Sequence, residues 1–257
     1  MAFENHECDL FLLSSHQHYF ANNALAEFAR RGNRNIDGWG IASYREGQAH
    51  VLRSADPAFE MGSNDLSREF YIASQAVSGS LIMGHLRLSS RGARKEFNNH
   101  PFKLNFLEYD WTMVHNGTAR QYENLVPHDE RLLIRSNNDS ARVFEYLRKR
   151  IIDYYLQHHK KSLIEGCRSA YTDLLNKDRD GLFNIILSNG FISFIFIHFR
   201  PFYILNREKD LGGVAVASTL RLTDDEEWFI MDKRPNKLAK MLVYSGPTLI
   251  FNGDIPR

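Results

Sequence analysis

The chain has 257 residues, 43% of them hydrophobic and 25% charged, with 32 Lys and Arg against 31 Asp and Glu for a formal net charge of +1. That length suits one large domain or two small ones with ample core, and so even a charge balance argues against nucleic acid and against an anionic membrane surface as partners. Two cysteines, Cys8 and Cys167, cannot build a disulfide framework and fit a reducing compartment.

The start, "MAFENHECDL", places acids and a histidine where a signal peptide would carry lysines and then an apolar stretch. Cys8 follows, and a lone cysteine is by default a small buried hydrophobe. Helical spacing of Leu25, Phe28 and Ala29 predicts a helix over residues 21–31, with Gly32 as its stop. Strand-like runs follow at 39–44, 49–53, 80–88 and 111–117. Asp139 and Ser140 open a long helix on which Val143, Leu147, Ile151 and Tyr154 recur, and a second amphipathic stretch spans 162–176. Cys167 falls on that second stretch and reads as structural. The last third turns to β, in six runs from "LFNIILSN" to "PTLIF" separated by turn residues. Its most apolar segment, Phe191 to Phe199, is far short of the ~20 residues that span a bilayer. Nothing repeats and no linker divides the chain. Strands, helices and then strands at hairpin spacing predict an α+β fold with antiparallel sheets and helices packed outside. The acidic "LTDDEEWF" (222–229) reads as a solvated loop. The expectation is a cytoplasmic enzyme or binding protein with no membrane segment.

Four segments stand out beyond composition: "RRGNRNIDGWGIASY" (30–44), "GHLRLSSRG" (84–92), "NNHPF" (98–102) and "VHNGT" (114–118), followed by "SNNDS" (136–140). In this order, behind an N-terminal cysteine, they resemble the class-II glutamine amidotransferases of the N-terminal-nucleophile hydrolase superfamily. The likeness is greatest to the small stand-alone members that lack a synthase domain, and it covers about residues 8–145. The tail, with "VAVASTLRLTDDEEW", is similar to the family's closing strands. The resemblance implies a four-layer αββα sandwich of two antiparallel sheets flanked by helices. It implies one domain over 8–257, a removable leader of residues 1–7 and no cofactor.

Amide hydrolysis needs a nucleophile, a base, an oxyanion hole and a hold on the substrate. A cysteine attacks as thiolate, and a first-residue nucleophile can use its own α-amino group as base. The resemblance makes Cys8 that nucleophile. It implies that the Asn116 side chain and the Gly117 N–H form the oxyanion hole, although Asn-Gly is also a common hairpin turn. Arg87 aligns with the arginine that grips the substrate α-carboxylate and Ser90 with a hydroxyl reaching the same group. Asp139 aligns with the acid for the α-ammonium; its alternative reading is a helix N-cap. Arg31 matches an arginine beside the nucleophile. "DGWG" (37–40) reads as structural. Leu88 stands where many members have tryptophan and Asp9 where many have glycine, which leaves the substrate's side-chain specificity open.

The reading is a glutaminase-type amidohydrolase that cleaves the γ-amide of glutamine through a Cys8 thioester, releasing glutamate and ammonia. A synthase subunit could receive that ammonia. The alternatives are a hydrolase of γ-glutamyl peptides or amides and a non-catalytic glutamine-binding sensor or subunit. Eleven histidines raise a metal hydrolase as a further rival, but no HExxH spacing occurs and most read as core or surface. In the full chain the Cys8 nitrogen is an amide whose delocalised lone pair takes no proton. Removal of "MAFENHE" is therefore expected, since some members carry a short leader ending in an acid. The other routes to a base are His6 or His16, or a translation start elsewhere.

Overall fold

The computed structural model describes residues 7–60, 62–63, 65–89, 93–127, 133–136, 138–158, 162–207 and 213–256. In chain order they form β1 (Asp9–Phe20), α1 (Asn22–Arg31), β2 (Trp39–Arg45), β3 (Gln48–Ser54), α2 (Arg68–Ala76), β4 (Ser78–Leu86), β5 (Phe102–Phe106) and β6 (Tyr109–Thr118). Then come α3 (Asp139–Gln157), α4 (Leu163–Lys177), β7 (Leu182–Ser188), β8 (Ile192–Ile197), β9 (Phe202–Arg207), β10 (Val214–Ser218), β11 (Phe229–Met231), β12 (Ala239–Ser245) and β13 (Thr248–Ile255).

The strands make two antiparallel sheets, ordered β11-β9-β10-β1-β4-β2-β3 and β13-β12-β8-β7-β6-β5. Side-chain alternation on β1 shows how they stack. Leu10 and Leu12 meet Val114, Ile186 and Leu242 between the sheets. Phe11 and Leu13 face the other way, onto Leu25 and Phe28 of α1 and Phe70 of α2. On the far side, Phe144 and Leu147 of α3 and Tyr171 and Leu174 of α4 cover Trp111, Phe194 and Phe196 of the second sheet. Three apolar layers thus join helix, sheet, sheet and helix, which is the expected αββα sandwich.

The three predicted helices form, and so do the strand runs of both halves. Four elements were missed by pattern: β1, the three-residue β11, α2 and β5. Helix α2 is capped by Ser67, which accepts the Phe70 N–H, but Tyr71 and Ile72 are 54% and 56% exposed and blur its apolar stripe. Strand β5 has clean alternation but directly abuts the "NNHPF" motif. Cys167 is buried on α4, in keeping with a structural role. Among the described residues no helix is long and apolar enough to cross a membrane.

Candidate active site

The β1–β4 register pairs Asp9 with Leu86 and so sets Cys8 against the residues that follow β4. The Cys8 thiol donates to the Leu88 carbonyl at 3.4 Å, and the Leu88 N–H reaches Sγ at the same distance. Burial, with a smaller push from Asp9, drives this thiol up to about 12, and the Leu88 contact offsets only part of that. At neutral pH the full chain therefore holds a protonated, weakly nucleophilic thiol.

Asp9 is a buried hub beside Cys8. Its Oδ2 accepts from Asn35 Nδ2 at 2.7 Å, and its Oδ1 accepts from Thr219 Oγ1 at 2.9 Å and Arg200 Nη1 at 2.9 Å. Burial raises the Asp9 carboxyl while Arg200 and Thr219 oppose the shift. Arg200 also donates to the Cys8 carbonyl at 3.4 Å and the Thr219 carbonyl at 3.3 Å. Sequence reasoning singled out Asp9 only as a departure and missed Arg200, Thr219 and Asn35. A buried acid beside a candidate nucleophile was the available signal, since it requires partners.

Asn116 and Gly117 lie inside β6, paired with Asn184 and Phe183 of β7. The hairpin reading of "HNG" is thus excluded: the β5–β6 turn falls at Leu107 and Glu108, with φ of 49° and 69°. Gly117 has φ 138°, and a Cβ there would collide with the Leu182 carbonyl oxygen. Asn116 is 1% exposed, and neither Nδ2 nor Oδ1 has a hydrogen-bond partner among the described residues. The Glu7 carboxyl lies alongside, raised by burial and pulled back by Arg200 and Asn116, yet it makes no hydrogen bond of ordinary geometry with that amide. A stranded buried amide costs about 1–3 kcal/mol.

Arg87 is 3% exposed and points Nη1 at Asn99 Oδ1 (3.2 Å) and the Ala93 carbonyl (3.3 Å), and Nη2 at Ser89 Oγ (3.0 Å). Asp139 opens α3, its Oδ2 accepting from the Ala119 N–H at 2.7 Å and its Oδ1 from the Ser140 N–H at 3.0 Å. It is not the N-cap. Asn138 fills that position and accepts the Ala141 N–H at 3.1 Å. The asparagine motif connects these groups. Asn98 donates to the Ala93 carbonyl at 2.8 Å and accepts from Ser136 Oγ at 2.9 Å. Gly38 and Gly40 leave room for this segment, since a Cβ on either would strike Asn99 or the His100 carbonyl. Trp39 between them packs edge-on against Phe70, as the structural reading of "DGWG" expects. Ser90 lies outside the described residues. Arg31 is 41% exposed and pairs with Asp224 at 2.7 Å on the acidic loop.

Three histidines of the motifs cluster behind the site. His100 Nδ1 and His85 Nε2 are 3.1 Å apart, and His115 shares hydrogen bonds with Ser140 Oγ (2.8 Å) and the Leu182 carbonyl (3.0 Å). Burial holds all three below the usual histidine range, His85 at about 3. Among the described residues no group of three or more His, Cys, Asp or Glu is arranged to hold a metal ion.

A family profile described as class-II glutamine amidotransferases matches residues 7–209. An uncharacterized protein of Methanocaldococcus jannaschii is 24% identical over 226 residues, which is 87% of this chain and 59% of that protein. YafJ of Escherichia coli is 27% identical over 156 residues, 60% of this chain and 57% of its own. The matched region thus spans less than two thirds of either relative. Among solved structures, a predicted glutamine amidotransferase from Pseudomonas aeruginosa PA01 has a TM-score of 0.63 at 18% identity, covering 95% of this chain and 100% of its own. Glutamine phosphoribosylpyrophosphate amidotransferase from B. subtilis has a TM-score of 0.63 at 15% identity, covering 96% of this chain and 49% of its own. At those identities the structures speak to the fold.

Proposed function

The chain belongs to the class-II glutamine amidotransferases, and from that premise we propose that it hydrolyses the γ-amide of glutamine or a γ-glutamyl compound through a thioester on Cys8. The observation that carries the reading is Asn116. A fully buried amide with no partner is a standing cost unless something completes it, and an oxyanion formed above Cys8 would accept from its Nδ2.

In this reading the Glu7–Cys8 bond is cut first. The freed α-amino group then takes the thiol proton, since among the described residues Cys8 Sγ hydrogen-bonds to the Leu88 backbone and to no side chain. Sγ attacks the γ-carbonyl, Asn116 Nδ2 and the Gly117 N–H hold the developing oxyanion, and the C–N bond breaks as the amine takes the proton back. Water then cleaves the thioester to glutamate. Arg87 and Asp139 would grip the two charged ends of the glutamyl group, with Ser90 assisting Arg87. Arg31 would stand at the mouth rather than in the clamp. An ammonia-accepting synthase partner belongs to this reading as well.

The test is to incubate processed protein with glutamine and follow glutamate and ammonia. Equal release, absent in Cys8→Ala, supports the reading. Glutamine binding without turnover would replace it with a sensor role.

A further inference from the structure

The segment that joins β8 to β9 crosses the start of the chain, and Asn184 of β7 holds it there. The Asn184 side chain is fully buried. Its Oδ1 accepts the N–H groups of His198 at 2.9 Å and Phe199 at 3.2 Å, and its Nδ2 donates to the Arg200 carbonyl. Asn184 pairs with Asn116 in the β6–β7 register, so the backbone of Arg200 is fixed to the strand pair that carries the Asn116 amide.

From this anchor the Arg200 guanidinium grips the nucleophile's own peptide. Nη1 donates to the Cys8 carbonyl at 3.4 Å and lies 2.9 Å from Asp9 Oδ1, while Nη2 donates to the Thr219 carbonyl at 3.3 Å. Thr219 closes the arrangement. Its Oγ1 donates to Asp9 Oδ1 and accepts the Leu10 N–H at 3.0 Å, and its own N–H donates to the Leu10 carbonyl at 3.0 Å. Cys8 precedes β1, and in the form that begins at Cys8 it is a chain end, which frays unless tied down. A misplacement of about 1 Å can slow a reaction roughly 10²-fold.

The same contacts place opposite charges beside the Cys8 nitrogen. Only Cα separates that nitrogen from the carbonyl carbon whose oxygen Arg200 holds, and Asp9 is the next residue. A free α-amino group titrates near 7.7–8.0; a neighbouring cation lowers that value and a neighbouring anion raises it. Asp9 has two neutral donors besides Arg200, Asn35 and Thr219, which hold it as a carboxylate. The other charges around this point are Arg87 after β4 and Arg30, Arg31 and Arg34 of the cleft that opens on Asp9; Arg30 and Arg31 are paired with Glu27 and Asp224. Strand β6 contributes the neutral Asn116, and Glu7 leaves with the leader.

We propose that Arg200 is a positioning residue for the nucleophile: by bridging the Cys8 carbonyl, the Asp9 carboxylate and the Thr219 carbonyl it aims the new chain end and, with Asp9, balances the charge beside its α-amino group. The inference rests on the Cys8 hydrolase reading. Removing either member of the pair then leaves the other uncompensated, and the two losses act in opposite directions on the amine.

The experiment follows that amine directly. Processed protein labelled with ¹³C-cysteine carries two labelled residues, Cys8 and Cys167, and Cys8 alone bears an α-amino group. Its titration midpoint should rise by about half a unit or more in Arg200→Gln, fall by a similar amount in Asp9→Asn and return towards the parent in Arg200→Lys. The acid limb of kcat/KM for glutamine should move in the same order. In Arg200→Gln kcat should fall about tenfold or more while KM changes less than about threefold, because the substrate clamp lies elsewhere. Midpoints that stay in place while Tm falls, or that move the same way in Arg200→Gln and Asp9→Asn, would overturn the positioning role. Asp9→Asn keeps the shape of the side chain, so its midpoint still decides the question if Arg200→Gln does not fold. If the midpoints move as stated but the parent releases no glutamate, the hydrolase reading fails and the positioning of the chain end stands.

Discussion

Asn138 donates from Nδ2 to the Asn98 carbonyl at 2.9 Å while its Oδ1 accepts the Ala141 N–H, so one side chain caps α3 and fastens the asparagine motif to the helix start. Asn138→Ala removes a cap worth about 1 kcal/mol and a buried hydrogen bond worth about the same. Calorimetry should show a Tm lower by roughly 4–8 °C for a chain of this size. Asp139 and Arg87 would both be less firmly held, so KM for the glutamyl substrate should rise more than kcat falls. Arg87→Lys should raise KM at least about 30-fold, roughly 2 kcal/mol of lost pairing. Unchanged KM in both variants would remove the clamp.

Asn116→Ala separates an oxyanion donor from a structural amide. Turnover should fall about 10²–10³-fold, the usual loss for one such donor. Stability should hold or rise, because the substitution removes an amide that is already buried without a partner. A large drop in Tm with activity retained in the folded fraction would count against the assignment.

Leader removal has a chemical signature. With the thiol pushed up to about 12 in the full chain, its thiolate fraction at pH 8 is on the order of 10⁻⁴. Iodoacetamide should label the full chain slowly and the form beginning at Cys8 at least ~10²-fold faster. Intact mass of protein from its native host should show that shorter form. If cleavage is autocatalytic, Cys8→Ala should keep residues 1–7. A fully active enzyme still carrying Met1 would end this mechanism and return attention to His16.

The histidine cluster sets an acid limit. His85, His100 and His115 are held below their unfolded value of about 6.5, so below that pH the unfolded chain binds protons that the native one refuses. Their contribution is full above about pH 6.5 and is lost as pH falls, by up to about 1.4 kcal/mol per unit for each histidine. The raised Asp9 and Glu7 carboxyls pull the other way, while His198, lowered to about 4 by burial, adds to the loss. Urea midpoints should therefore drop between pH 6.5 and 4.5, and His85→Gln should flatten that slope. A flat profile in the parent protein would contradict the burial argument.

Helices α1, α3 and α4 and the strands of the last third other than β11 were legible in the sequence, because the period of apolar residues records which face of an element is buried. The order of the motifs carried the family for the same local reason. Strand β1 did not show itself as a strand, since both of its faces are covered and its apolar run has no period to read. The Asn-Gly step was ambiguous until the pairing of β6 with β7 placed it inside a strand, where its amide is buried and cannot turn outward. Chain proximity likewise gave no hint that Asp9 would meet Thr219, 210 positions away, or that Arg200 would reach both Asp9 and the Cys8 carbonyl. Residue types and local periodicity determined the elements and the candidate chemistry. Strand register, which joins distant residues, decided which polar groups surround the thiol and which side of it is left to arginine.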